Sequence, residues 1–335
     1  MSPHATPSFL VLAVALVALA AISLYAIFGG ADFGGGVLDV LASGPRRRDQ
    51  QSLIGHAIGP VWETNHVWLI FAIAVLFTCF PRAFGALSIG LFVPLTLVLV
   101  GIILRGAAYA FRSQARDDSS FGRLWGHVFG IASAIAPFFF GAAVGGLTVG
   151  GFRWTSPFAL AIGLFALALC AQLAAVFLTL ESTGPLRADF RARAIGWTFG
   201  LAAIGALALA IAALSSPQTF AALTSAQSRP GIGIAMALGF AVLGTLATGR
   251  YALARVAVAA ETIAILGGWY LAQAPYLIPH TLTVVEAAAP PVVLRAFLWL
   301  VAVGTVLLVP SLLLLFSIFK GDAANADDRR SPTQA

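Results

Sequence analysis

Six stretches of this chain run for the length of a membrane crossing without a charged side chain: residues 8–28, 83–104, 124–152, 154–180, 230–249 and 296–319. A helix needs about 20 apolar residues to cross the hydrocarbon core. Inside that core every backbone amide and carbonyl must be bonded within the protein, so runs this long are expected to be helices. A seventh run, 194–228, is too long for one crossing, and Ser215-Ser216-Pro217 breaks it to leave a helix over 194–214. Two more crossings carry polar groups: 60–80, with Glu63 and His66 near its start, and 254–273, with Glu261. The expected fold is an all-α polytopic membrane protein of about nine bundled transmembrane helices. A single transmembrane domain covers 1–320, and 321–335 is a polar cytoplasmic tail expected to be disordered.

Charge is scarce enough to exclude whole classes. Charged residues make up 10% of the chain, against roughly 25% in soluble proteins, too few to cover a water-facing surface. A soluble enzyme and a disordered tail protein are thereby excluded. The net charge of +6 comes from 18 Arg and one Lys against 13 acids. With the amino terminus outside, fourteen of these basic residues fall on the cytoplasmic side, from Arg46-Arg47-Arg48 to Lys320, Arg329 and Arg330. Only Arg82, Arg153, Arg229 and Arg295 fall opposite, and Arg105 lies within a span. Such an excess sets the orientation as N-out, C-in. The basic balance thus reads as topology, and no nucleic-acid partner is expected. Met1 to Ser8 holds no positive segment, so the first run is expected to be a retained helix rather than a cleaved leader. Cys79 and Cys170 sit in apolar runs, where a thiol behaves as a small hydrophobe.

An ionisable group inside a span is costly and so points to function. On this topology Asp32, Glu63, His66, Arg105 and Glu261 all fall in the cytoplasmic half, and none at mid-membrane. Glu63 and His66 are spaced i,i+3 and project from one face, and Pro60 suits a first helical position. The functional reading is a proton-entry carboxylate beside a titratable neighbour. The structural reading is a helix-start carboxylate satisfied by Arg105 or by backbone amides. His66 lacks a second ligand at helical spacing, which argues against a haem or metal site. Gly29-Gly30-Ala31-Asp32-Phe33-Gly34-Gly35-Gly36 has no preceding strand and no Walker lysine, so it is not a phosphate loop. It reads as a closely packed break at a helix end with Asp32 turned inward. The Gly pairs 126/130, 141/145 and 196/200 would let helices approach closely. No sequence repeat is visible.

Three blocks in order resemble the cytochrome bd quinol oxidase subunit II family. The first is Ile58-Gly59-Pro60-Val61-Trp62-Glu63-Thr64-Asn65-His66-Val67-Trp68-Leu69 with Phe80-Pro81. The second is Leu104-Arg105-Gly106-Ala107-Ala108-Tyr109-Ala110-Phe111-Arg112. The third is Gly268-Trp269-Tyr270-Leu271-Ala272-Gln273-Ala274-Pro275-Tyr276 with Glu286-Ala287-Ala288-Ala289-Pro290. This resemblance implies a heterodimer with a larger subunit I that carries haems b and d, in the cytoplasmic membrane. It implies quinol as electron donor, dioxygen as acceptor, quinone and lipids as further partners, and a small single-helix subunit as a candidate third chain. No cofactor is expected on this chain itself. Glu63 stands where the family has Asp, in a proton route expected to include His66, Asp32 and Glu261. Arg105, Arg112, Trp62 and Asn65 are expected as structural or charge partners. Gly29 replaces the first of two usual aspartates, His66 stands where Glu is common, and Ala110 replaces an acid, so the chain resembles a divergent branch. Composition alone would also suit a secondary transporter, and a third reading is a structural subunit without a proton role. The lack of a midplane charge and of an inverted repeat weighs against transport.

Overall fold

The computed structural model describes residues 8–58, 62–114 and 120–328, with residues 58, 62–64, 113, 309 and 312–328 described by their backbone alone. In chain order it forms α1 (Phe9–Val40), α2 (Arg47–Ile58), α3 (Trp62–Cys79), α4 (Pro81–Gly90), α5 (Phe92–Gln114), α6 (Ser120–Thr148) and α7 (Pro157–Glu181). There follow α8 (Gly184–Ser215), α9 (Pro217–Leu223), α10 (Arg229–Ala247), α11 (Tyr251–Gln273), β1 (Tyr276–Ile278), β2 (Leu282–Thr283), α12 (Val284–Ala287) and α13 (Pro291–Asp328). Among the described residues eight helices are long and apolar enough to cross a membrane. Asn65–Cys79 and Pro81–Gly90 form one further pair, bent by 118°. The count is nine if that pair makes one crossing.

Lipid tails give helices no hydrophobic reason to associate, so close packing of small residues must do it. Two four-helix groups result: α1, α3, α5 and α6, then α7, α8, α10 and α11. They are joined where α7 packs on both α1 and α6. Gly141 and Gly145 of α6 are both used, because added Cβ atoms would come 2.6 Å from Ile162 O and from Ala159 Cα. Gly130 is used as well, against Val40. Gly126 and Gly196 face open space, so the 196/200 pair does not form a contact of this kind.

Three boundaries differ from the sequence expectation, each for a local reason. First, α1 does not end at residue 28; it continues through the glycine stretch to Val40. Those glycines are contact positions. A Cβ on Gly34 would meet Cys170 O at 1.8 Å, and one on Gly36 would meet Ser133 Oγ at 2.1 Å. An interior glycine costs a helix about 1 kcal/mol relative to alanine, and close approach of α7 and α6 offsets that cost. Second, the single span expected over 83–104 is two helices, α4 and α5, which part at Leu91 where the backbone leaves the helical region (φ −109°, ψ 21°), and α4 is itself set off from α3. Pro81 opens α4 and Phe80 before it takes a non-helical conformation, as the residue before proline tends to do. The carbonyl of Cys79 at the break accepts the amide of Ala289 at 2.8 Å. Third, residues 274–294 are not only a loop: β1 and β2 pair antiparallel, and Thr283 and Glu286 form a capping box at the start of α12. The break at Ser216-Pro217 is where the sequence puts it, between α8 and α9. The last helix runs on to Asp328, into the segment expected as a polar tail.

The sorted arginines gather at one end. Arg46 Nε donates to Asp189 Oδ2 at 2.8 Å, and Gln50 Nε2 joins the same oxygen at 3.0 Å. Arg193 Nη2 donates to Leu41 O at 3.0 Å and to Gln50 Oε1 at 2.9 Å. At the other end Arg82 Nη1 donates to Glu286 O at 3.2 Å. Residues assigned to one side by charge alone do meet.

Candidate functional site

Within the first helix group one ion pair is buried completely. Arg105 Nη2 of α5 donates to Asp32 Oδ1 of α1 at 2.5 Å and to Asp32 O at 3.2 Å. Both side chains are 2% exposed. Arg105 Nε donates to Ser133 Oγ of α6 at 3.1 Å, and that hydroxyl donates to Phe129 O at 2.7 Å. The guanidinium carbon lies 5.2 Å from the ring of Phe33 and 5.0 Å from that of Phe129, within cation–π range. Asp32 is thus turned inward, as the sequence suggests, but from within an unbroken helix.

The pair leaves one side open. Asp32 Oδ2 and Asn65 Nδ2 are both buried without a hydrogen bond of good geometry, and the two side chains lie close to one another. Asn65 and His66 from the first turns of α3 are electrostatic neighbours of Asp32, along with Arg105. Trp62 and Glu63 start that helix, but their side chains lie outside the described residues, as does Pro60. The open valence of the ion pair therefore faces the element that carries Glu63.

Two turns further along, a second pair repeats the first. Arg112 Nη1 donates to Asp39 Oδ2 at 2.7 Å and Nη2 to Asp39 Oδ1 at 3.2 Å, a two-pronged contact. Arg112 of the expected set therefore has its acid on α1.

Glu261 is placed elsewhere. Cys170 and Ala174 of α7 meet α1, whereas Gln172 turns to the other group. Its Nε2 donates to Glu261 Oε2 of α11 at 3.0 Å and to Thr198 Oγ1 of α8 at 3.1 Å. No hydrogen bond or ion pair among the described residues joins Glu261 to Asp32, Asn65 or Arg105. Its depth also differs from expectation. The helix starts at Tyr251, straight after the turn at Gly249-Arg250, so Glu261 stands ten residues in and twelve from the end. That is near mid-span, one residue short of the helix centre and deeper than the sequence suggests.

Among the described residues no three His, Cys, Asp or Glu side chains gather closely enough to hold a metal ion. His56 and His127 are exposed and turn Nδ1 back to Ser52 O and Arg123 O of their own helices. Neither offers the buried axial ligand that a haem seat needs.

The chain matches the cytochrome bd terminal oxidase subunit II family over residues 10–319. It belongs to that family. Relatives of this subunit II chain include cytochrome bd ubiquinol oxidase subunit 2 of Bacillus subtilis (strain 168), 29% identical over 57% of this chain and 58% of the relative. Cytochrome bd-I ubiquinol oxidase subunit 2 of Escherichia coli (strain K12) is 26% identical over 51% of this chain and 48% of its own. The chain spans about half the length of these curated relatives. A chain of the bd oxidase from Geobacillus thermodenitrificans shares the fold, with a TM-score of 0.77, 20% identity, and coverage of 93% of this chain and 99% of that one.

Reasoning from sequence missed Asp39, Ser133 and Gln172 of this subunit II. A signal existed for Asp39, since it follows Asp32 by the same seven residues that separate Arg112 from Arg105. For Gln172 the signal was an amide alone within the apolar run 154–180. Ser133 had none: a hydroxyl in a helix usually bonds its own i−4 carbonyl.

Proposed function

We propose that this chain partners and scaffolds a haem-bearing subunit I in a quinol-oxidising, dioxygen-reducing complex of the cytoplasmic membrane, and that it hands protons inward from the start of α3. Electron transfer from quinol to dioxygen belongs to the haems of the partner. The residues of this chain hold and move protons. Glu63 takes up a proton at the arginine-rich end, which the positive-inside rule makes cytoplasmic. Asn65 and His66, two and three residues further along α3, are neighbours of Asp32. Arg105 holds Asp32 Oδ1, so Oδ2 is the atom left to receive a proton. The observation that carries this reading is that open Oδ2, buried and facing α3. Glu261 stands on the far side of α7 and is left out of the route.

A transport reading would draw on Glu261 near mid-span. Transporter sites form at interrupted helices, and α11 runs through Glu261 without a break. The purely structural reading is tested directly. Glu63→Gln keeps the shape and removes the titratable proton. In the complex purified gently with its haem-bearing partner, quinol-driven oxygen consumption should fall on the order of tenfold. An unchanged rate in an intact complex would establish the structural role instead.

A further inference from the structure

The seam between α1 and α5 stays polar beyond Asp32. Asp39 follows Asp32 by seven residues, as Arg112 follows Arg105, so the second ion pair stands two turns, or about 10 Å, nearer the arginine-rich end. The Asp39 carboxylate is 3% exposed, while the side chain of Arg112 is 31% exposed. One partner is sealed in; the other reaches the surface. Between the two acids lies Gly36, four residues after Asp32 and three before Asp39, so all three positions share one face of α1. A Cβ on Gly36 would come 2.1 Å from Ser133 Oγ. The hydroxyl of Ser133 therefore occupies the space that a side chain at position 36 would fill. It also accepts Arg105 Nε, which ties it to the Asp32 pair. Positions 32, 36 and 39 of α1 follow one another at Cβ steps of about 5–6 Å, and the Ser133 hydroxyl sits at the middle one. The Phe129 ring lies under both guanidiniums, 5.0 Å from that of Arg105 and 5.8 Å from that of Arg112.

We propose that Asp39 is the mouth of a second proton entry to Asp32, running along α1 past the Ser133 hydroxyl and separate from the entrance at Glu63. The proposal rests on the proton-uptake reading above. A proton from a cytoplasmic water or buffer acid reaches the exposed edge of Arg112 and bonds to an Asp39 oxygen. Asp39 is then a neutral acid with a weakened hold on Arg112. That proton leaves the Asp39 oxygen and, carried by water along the seam beside Ser133 Oγ, bonds to Asp32, so Asp39 returns to a carboxylate, the Ser133 hydroxyl keeps its bond to Phe129 O, and no other bond changes. The groups around Asp39 suit a mouth. Arg112 faces it from α5, Gln51 of α2 donates to its main-chain oxygen at 3.1 Å, and Arg193 of α8 donates to Leu38 O at 3.4 Å and Leu41 O at 3.0 Å. Phe129 closes the side toward α6.

The test compares Asp39→Asn, Asp39→Glu, Asp32→Asn and Glu63→Gln in the assembled complex, with haem content and size confirming assembly. Quinol-driven oxygen consumption is recorded against pH, in ordinary and in heavy water. Asp39→Asn should lose about tenfold or more, most at high pH where protons are scarce, with a changed solvent isotope effect. Asp39→Glu should recover most of the rate, which a merely structural pair with Arg112 would not predict of the pH profile. A parental rate and pH profile for Asp39→Asn, with Asp32→Asn and Glu63→Gln both slow, overturns the Asp39 mouth and leaves the first route standing. Parental rates for all three remove the proton-uptake reading and this entry with it. If Asp39→Asn does not assemble, Ser133→Ala decides: a slowed, pH-shifted rate supports the conduit, and an unchanged one overturns it.

Discussion

A guanidinium held away from water is tolerated only when its donors are spent and its charge is matched. Arg105 meets both conditions through Asp32, Ser133 and two aromatic rings. Removing one member of such a pair strands the other, which typically costs about 3–5 kcal/mol, whereas replacing both can be nearly neutral. Arg105→Met should therefore lower the melting temperature of the detergent-solubilised protein sharply. Adding Asp32→Asn to it should restore much of the loss. Equal melting temperatures for parent and Arg105→Met would show that the pair contributes no net stability. Outside the spans, Glu286 offers a pH-dependent case. Its carboxylate accepts from Thr283 N at 2.9 Å and from Thr283 Oγ1 at 2.8 Å, and these bonds hold it below the usual carboxylate range. A depressed folded-state value stabilises α12 above the unfolded value of about 4.3, and the benefit is lost as pH falls through the folded one. Protease cleavage near β1 and β2 should rise below that pH, and Glu286→Ala should show the increase at neutral pH too. The change should be small, since the group is exposed.

Helices as elements were readable from the chain; their ends were not. In an apolar sequence a glycine that breaks a helix and a glycine that lets a neighbour approach look alike. Residues 29–36 show the cost of that ambiguity. Ending the first helix at residue 28 put Asp39 in a loop, and its heptad match with Asp32 then carried no meaning. With α1 continuous to Val40, the match becomes a two-rung contact with α5. Pro81 presents the reverse problem: its neighbours are apolar enough to extend a span, yet the chain turns there by 118°. Contact glycines predict differently from free ones. Gly34→Ala would drive a Cβ to 1.8 Å from the backbone oxygen of Cys170, which cannot move without separating α1 from α7. Gly55 of α2 meets nothing within 4 Å. Size-exclusion profiles should show Gly34→Ala largely lost as folded protein, and Gly55→Ala at parental yield with stability raised by about 0.4–1 kcal/mol. Similar behaviour of the two would refute the close α1–α7 contact as the reason for glycine at 34.

Across the whole molecule, sorting arginines by loop recovered which ends of the helices lie together, because each loop carries its own charge label. Depth inside the bundle has no such label. Arg250 and Arg255 made Glu261 look close to the surface, but α11 begins at Tyr251 and carries Arg255 within its own first turns. The two helix groups divide the buried acids. Asp32 faces a guanidinium in the first group, and in the second Glu261 accepts from the amide of Gln172, which also donates to Thr198. α7 stands between them, turning Cys170 and Ala174 to one side and Gln172 to the other. A proton route confined to the first group makes these acids separable by mutation. Glu261→Gln keeps an oxygen that can accept from Gln172, so the complex should assemble and consume oxygen at close to the parental rate. Asp32→Asn strands the buried Arg105 cation and should lower the yield of complex, and in the fraction that assembles it should slow consumption per haem. Comparable slowing in both variants, with both complexes assembled, would mean that the route crosses α7 and that the second group takes part in it.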